Sequence, residues 1–230
     1  MTGRPTRVGV LGCASIAERR VLPALRRADG LEPVAVASRD GAKAARFGCR
    51  AVTGYRDLLD DPDIDAVYVP LPTGLHEEWT EYALRAGKHV LVEKPLATDA
   101  RAAARLFALA REGGLVLMEN LMFVHHGLHR AVRRILDEGT IGTVREMTAE
   151  FGIPQLAPDD IRWKPELGGG ALLDMGVYPV RAAQMFLGGP LEVVGGARRY
   201  DTGHGVDVAC SAVLVSPDGV PAPAHRRVRR

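Results

Sequence analysis

The sequence predicts an α/β fold: a parallel sheet with helices on both faces, followed by a smaller α+β region. Over residues 7–118, short apolar, β-branched runs alternate with amphipathic helical stretches, as repeated βαβ units require. These runs show little period-2 alternation, as expected of strands covered on both faces. After about residue 120 the pattern changes to longer helices and strands with one wet face.

Residues 7–12 read as a first strand ending in glycine, 16–28 as an amphipathic helix and 33–38 as a second strand. A short helix at 39–47, a minor strand at 51–53 and a short helix at 55–59 follow. Next come a buried strand at 66–70, a helix at 75–86, a strand at 89–92, an alanine-rich helix at 99–111 and a strand at 115–118. Beyond these lie a helix at 126–138, ended near Gly139, and a strand at 144–152. Residues 154–170 are irregular, and 171–187 are helical although Pro179 must disturb the backbone. Residues 192–200 and 206–215 resemble two antiparallel strands. The predicted domains are 1–122 and 123–219. The second holds an incomplete, mostly antiparallel open sheet with only three visible strands, where about 5–6 are typical.

Composition excludes several classes. The 230 residues are 47% hydrophobic and 25% charged, the balance of a soluble globular chain. No apolar run approaches the ~18–20 residues of a bilayer span, so no membrane association is expected. Residues 1–7 are polar and lead straight into a strand, unlike a secretory signal. Lys+Arg number 30 and Asp+Glu 28, but Arg226, Arg227, Arg229 and Arg230 lie in the last five residues. Without them the balance is 26 against 28, or −2, which argues against nucleic acid as a partner. Cys13, Cys49 and Cys210 are far apart and odd in number, so a reducing, cytoplasmic setting is expected. His125, His126 and His129 cluster, but no third-ligand or glutamate-base pattern accompanies them and no metal is expected.

The first strand meets the first helix at Gly12-Cys13-Ala14-Ser15-Ile16-Ala17, a G-x-A-x-x-A pattern. Gly12 suits a tight turn, a small residue at 14 admits a pyrophosphate to the backbone, and a small residue at 17 lets helix pack on strand. The helix N-terminus then offers free N–H groups to phosphates. This is the pattern of a Rossmann dinucleotide-binding domain. Cys13 reads as a space-filler because no paired base is evident. The second strand ends Ala37-Ser38-Arg39, without the acid that bonds a ribose 2′-hydroxyl. Arg39 can instead pair a 2′-phosphate, so NADPH is favoured over NAD.

Further motifs are Val69-Pro70-Leu71-Pro72-Thr73 with His76, then Glu93-Lys94-Pro95, then Gly168-Gly169-Gly170-Ala171-Leu172-Leu173-Asp174-Met175-Gly176-Val177-Tyr178-Pro179. Together with the phosphate turn they resemble the glucose-fructose oxidoreductase / inositol dehydrogenase family over about residues 6–216. Ile16-Ala17-Glu18-Arg19-Arg20, Ser38-Arg39, Ile161-Arg162-Trp163 and Pro165-Glu166-Leu167-Gly168-Gly169 resemble one branch, the NADPH-dependent 3-ketoreductases of nucleotide-linked deoxysugars. The resemblance implies reduction of the C3 ketone of a dTDP-keto-deoxysugar in antibiotic sugar biosynthesis. It places Lys94 beside the nicotinamide. It implies oligomers built on the second domain's sheet, an expectation that is doubtful for this chain.

The family's second motif often carries histidine where this chain has Tyr178. A tyrosine, with pKa near ~10, stays protonated and suits donation to a developing alkoxide. Lys94 is the favoured proton donor and carbonyl polariser, with Tyr178 assisting. Pro70, Leu71, His76 and Glu93 are expected around the cofactor. Arg162 is expected on the substrate diphosphate, Trp163 on the thymine and Asp174 on a sugar hydroxyl. The alternatives are an inositol- or glucose-type dehydrogenase, or a catalytically impaired dinucleotide-binding fragment.

The end of the chain breaks the pattern. Asp218-Gly219 should turn into another strand, but Pro221, Pro223 and the arginines follow. Prolines continue a ladder poorly. Residues 220–230 are therefore expected to be an aberrant basic tail, from a frameshift or truncation near residue 220.

Overall fold

Val8, Val10 and Leu11 give the first strand (β1, Thr6–Leu11) buried side chains on both faces, which places it inside a sheet rather than at an edge. The computed structural model describes residues 3–228 and divides into two units, one ending at Asn120 and the other starting at Leu121.

In the first unit β1 is joined by β2 (Leu31–Ser38), β3 (Arg50–Thr53), β4 (Ala66–Val69), β5 (His89–Glu93) and β6 (Leu117–Asn120). All pairings are parallel, in the order β3-β2-β1-β4-β5-β6. The order reverses between β1 and β4, and the carboxyl ends of the strands diverge there into a crevice. The register of β1 on β2 slips between Val8 and Gly9, beside Pro33, which has no N–H for the ladder.

Two cores cover the two faces. Val10, Val36 and Tyr68 pack with Ala17, Leu22 and Phe47, whereas Leu11, Ala35, Ala37, Val67 and Val69 pack with Leu59, Ala83 and Leu106. Helical residues 15–25 begin with a turn and a half of α and π character and end in α1 (Leu22–Leu25). Helices α2 (Gly41–Ala44), α3 (Tyr55–Leu59), α4 (His76–Arg85) and α5 (Ala100–Glu112) follow. Asp99 caps α5 by accepting from Arg101 and Ala102 N–H at 2.8 and 2.9 Å.

The second unit holds α6 (Gly127–Asp137), β7 (Ala149–Ile153), α7 (Val177–Leu187), β8 (Glu192–Tyr200), β9 (Asp207–Val215) and β10 (Pro221–Val228). Its sheet has the order β7-β10-β9-β8, antiparallel except for the parallel β10–β7 pair. Strand β7 starts five residues later than the sequence pattern suggests. Pro179 stands in the first turn of α7, and the backbone ahead of it winds as a π turn over Leu172–Gly176 instead of breaking.

The structure corrects the reading of residues 220–230 as a tail outside the fold. Pro221–Val228 is an inner strand, paired on both sides. The prolines are tolerated for a local reason. The Pro221 carbonyl accepts from Met147 N–H on the β7 side, so the nitrogens of Pro221 and Pro223 face that side too. There the parallel ladder starts only at Ala224. Ala222 and Ala224 are buried against Ala183 and Leu214. Arg226 is only 1% exposed, so it is a core cation and not a solvated tail charge. Its guanidinium is pulled down by burial and supported by the charges of Asp174 and Asp207. Arg229 and Arg230 lie outside the described residues.

Two expectations follow. Ala224→Asp buries an unpaired carboxylate in the core of the second unit, against Ala183 and Leu214, and should cost about 3 kcal/mol or more. Thermal unfolding followed by hydrogen exchange should show that loss in the β7–β10 amides and not in β1–β6. The second concerns Asp65, which accepts from the backbone N–H of Arg7 at 2.8 Å and from the guanidinium groups of Arg7 and Arg4. These bonds hold its carboxyl well below the ordinary range, the Arg7 side chain contributing most. A depressed folded pKa adds stability that is complete above the unfolded value near ~3.9 and is lost as pH falls toward the folded value. Asp65→Asn should therefore lower stability at pH 7 by about 1 kcal/mol and flatten the decline in Tm below pH 4.

Candidate active site

In the first unit the candidate residues collect at the carboxyl ends of the strands. Gly12 leaves β1 with φ at +109°, and its N–H bonds the Ala37 carbonyl at 2.8 Å. A Cβ at this position would stand 2.8 Å from Leu71 Cδ2. Both the turn and the neighbour therefore demand glycine. Ala17 is fully buried under the helix, as the small residue at that position predicts. Ser15 is exposed at the helix start, while Cys13, Ala14 and Ile16 are half-buried beside it. Burial pushes the Cys13 thiol up, so it stays a neutral space-filler.

Ser38 ends β2 nearly buried, and its Oγ accepts from Asp40 N–H at 3.1 Å. Asp40 is an acid close to the strand end, yet its carboxylate accepts from Ala42 N–H at 3.0 Å and caps α2. It is thus committed to the backbone. Arg39 stays exposed beside Tyr55. Burial raises the Tyr55 hydroxyl and Arg39 partly offsets this. An uncovered guanidinium at this place, next to a glycine cradle that any Cβ would fill, fits a dinucleotide carrying a 2′-phosphate.

On the other side of the reversal, Pro70 and Leu71 are buried after β4, and Leu71 lies over the Gly12 turn. Glu93 ends β5, and Lys94 follows it half-buried. The Glu93 Oε1 accepts from the Tyr68 hydroxyl at 2.6 Å and from Asn120 Nδ2 at 2.7 Å. Burial, then the Glu93 charge, holds the Tyr68 hydroxyl far above the ordinary tyrosine range, so it remains a donor. The backbone N–H of Leu96 donates to Glu119 at 2.8 Å, which fixes the far side of the Lys94 loop.

His76 is the clearest correction among the cofactor residues. It is 1% exposed, with Nδ1 2.7 Å from the Pro95 carbonyl and Nε2 2.7 Å from the Leu71 carbonyl. Both ring nitrogens face carbonyl oxygens inside the fold and the neutral ring donates to one of them, so His76 packs between two loops and turns no ring nitrogen toward a ligand. Burial lowers its pKa, and the two carbonyls act in the opposite direction.

In the second unit, Arg162 donates from Nε to Asp174 Oδ2 at 2.5 Å and from one terminal nitrogen to Asp160 at 3.2 and 3.3 Å. Two of the three nitrogens of the fork expected to clamp a diphosphate are already taken by carboxylates, an arrangement that fixes Asp174 against Arg162. Gly169 makes this loop possible, because a Cβ there would stand 2.5 Å from the Arg162 carbonyl. Trp163 donates from Nε1 to the Ala157 carbonyl at 2.9 Å, and its ring lies 4.8 Å from that of His204. Part of the face expected to take a thymine is therefore covered. Asp174 is buried, and the half-buried Tyr178 ring stacks on Phe151 at 5.0 Å and meets Phe123 at 5.5 Å.

Sequence reasoning missed Tyr68, Asn120, Asp160 and Arg226. Tyr68 could have been found: a tyrosine inside an aliphatic strand brings a hydroxyl that needs a partner when buried. Of the histidines read as a cluster, His126 caps α6 by accepting from Leu128 N–H, and His129 packs on Phe123 and Phe186. Among the described residues no three potential ligands gather, and no helix is long and apolar enough to cross a membrane.

Comparison with known proteins identifies the family. A curated dTDP-3,4-didehydro-2,6-dideoxy-alpha-D-glucose 3-reductase from Saccharopolyspora spinosa is 57% identical over 95% of this chain and 67% of its own length. The enzyme of the same name from Streptomyces violaceoruber is 56% identical over 94% of this chain and 64% of its own length. This chain thus spans about two thirds of the curated relatives it matches. KijD10, a 3-ketoreductase from Actinomadura kijaniata solved with NADP and TDP-benzene, superposes with a TM-score of 0.96 at 53% identity. That match covers 99% of this chain and 71% of KijD10. KijD10 has also been solved as variants of one lysine and of one tyrosine. Residues 6–121 match the model of an oxidoreductase family with an NAD-binding Rossmann fold. Residues 129–225 match that family's C-terminal domain, a match that runs into β10. The chain therefore belongs to the GFO/IDH/MocA oxidoreductase family.

Proposed function

We propose that this chain carries out the NADPH-dependent reduction of the C3 ketone of a dTDP-linked keto-deoxysugar. The observation that carries the reading is the pairing, in one unit, of the Gly12 cradle with the exposed Arg39 on one side and Lys94 after β5 on the other. The 3-reductase names of the relatives and the NADP and TDP-benzene bound to KijD10 support it.

Gly12, its own N–H held by Ala37, makes the turn on which Cys13, Ala14, Ser15 and Ile16 would receive the pyrophosphate through backbone N–H groups, and Ser38 with Arg39 would take the 2′-phosphate. Pro70 and Leu71 shape the wall beside the nicotinamide, with His76 holding their loop. NADPH, when bound, supplies the hydride. Lys94 donates to the ketone oxygen and stabilises the negative charge that develops there. It then gives up the proton that converts the alkoxide to the alcohol, with the Tyr178 phenol assisting. Asp174, oriented by Arg162, accepts from a hydroxyl of the sugar and so fixes which carbon faces reduction. The expected partner is a nucleotide sugar and the expected setting the cytoplasm.

Two measurements test this. Lys94→Ala should lower kcat on a dTDP-keto-deoxysugar by about 10²–10³-fold while NADPH binds within a few-fold of the unaltered chain. Tyr178→Phe should show a smaller loss. Near-full turnover by Lys94→Ala would sink the proposal. Arg39→Ala should weaken NADPH by about 10–100-fold, through the loss of a charge-assisted contact, and leave NADH affinity unchanged in calorimetric titration.

A further inference from the structure

We infer that Tyr68 and Asn120 are positioning residues for the nicotinamide half of the dinucleotide, acting through Glu93. The inference deepens the cofactor site proposed above and rests on that reading.

The sheet order divides the crevice. Ser38 and Arg39 end β2 on one side of the β1–β4 reversal, the side of the 2′-phosphate. Strands β4, β5 and β6 form the other side, where the nicotinamide nucleoside must lie. Glu93 and Asn120 are register partners at the last positions of β5 and β6. Tyr68 is paired with Leu91, two residues before Glu93 on the same face of β5. A tyrosine reaches such a diagonal neighbour.

Three details separate this arrangement from ordinary core satisfaction. Tyr68 is 1% exposed, yet its hydroxyl donates to a half-exposed carboxylate at the strand end. Asn120 donates to the same oxygen, Oε1. Among the described residues, Glu93 Oε2 accepts no hydrogen bond. Two donors from neighbouring strands thus fix the carboxylate and leave one oxygen as an oriented acceptor. An acceptor recognises only a donor, and the donors of a nicotinamide nucleoside are its ribose hydroxyls and its carboxamide N–H₂. Fixing Glu93 also fixes the strand end from which Lys94 departs.

The test uses the full chain with Tyr68→Phe, Asn120→Ala and Glu93→Ala, titrated with NADPH and with 2′,5′-ADP, which carries only the adenine half. Tyr68→Phe and Asn120→Ala should each raise the Kd for NADPH about tenfold and leave that for 2′,5′-ADP within about twofold. In the Glu93→Ala background, Tyr68→Phe should add nothing further. Equal weakening of both ligands, unchanged NADPH affinity, or additive losses with Glu93→Ala would each overturn the inference. Asn120→Ala keeps the test open if Tyr68→Phe does not fold. If the unaltered chain binds neither ligand, the dinucleotide reading itself fails, a result distinct from selective loss.

Discussion

The contact between Gly12 and Leu71 is the constraint on which the first unit's site depends. Leu71 occupies the space a side chain at position 12 would need. The turn after β1 and the loop after β4 can therefore approach only because one of them has no side chain. That approach narrows the crevice at the sheet's reversal and brings backbone N–H groups from one strand end close to the loop of another. His76 then ties Leu71 to Pro95, so the geometry set at the phosphate turn is passed on to the loop that carries Lys94. Each link in this chain is a short-range packing or hydrogen-bond contact between backbone segments. The arrangement is accordingly stiff in the part that must hold still, since a carbonyl bound to a buried ring cannot drift without exposing both.

The second unit solves a different problem. A buried guanidinium, a buried carboxylate and their neighbours share a small region: Arg162, Asp174, Asp207 and Arg226. Asp207 Oδ2 accepts from Leu172 N–H at 2.7 Å, at the start of the π turn. Taking several charges from water is costly unless each meets an opposite charge or a hydrogen bond. Removing one member leaves another uncompensated, so Asp174 is held in place by the same interactions that make the loop foldable.

Much of the fold was legible in the sequence, because it is written in local patterns. The apolar runs of β1, β2, β4 and β5 and the helix at 55–59 stand within a residue or two of their predicted places. Strand β6 runs two residues later than its pattern, which matters because the shift brings Asn120 level with Glu93. The site was legible only as a set of residue types. Arg39, Lys94 and Tyr178 could be singled out, but not how neighbouring polar atoms are used. His76 and Arg162 both look like ligand residues in one dimension. Each is turned inward by partners elsewhere in its own unit. The prolines of β10 misled for a related reason. Proline removes a donor on one side of a strand only, and whether that side has a partner is a property of the sheet.

The placement of β10 has a consequence for how the chain is made. The first unit is built from neighbours in sequence, and each strand finds its partner within a few tens of residues. The second unit is not. Among the described residues strand β7 pairs only with β10, which emerges about seventy residues later. During synthesis the first unit can close while the second waits. Throughout that interval β7 and the inner edge of β9 carry unsatisfied backbone groups. Long-range pairing of this kind slows folding, and an open edge invites pairing with other chains. Pairing with β10 is thus what ends that exposure for β7 and for the facing edge of β9.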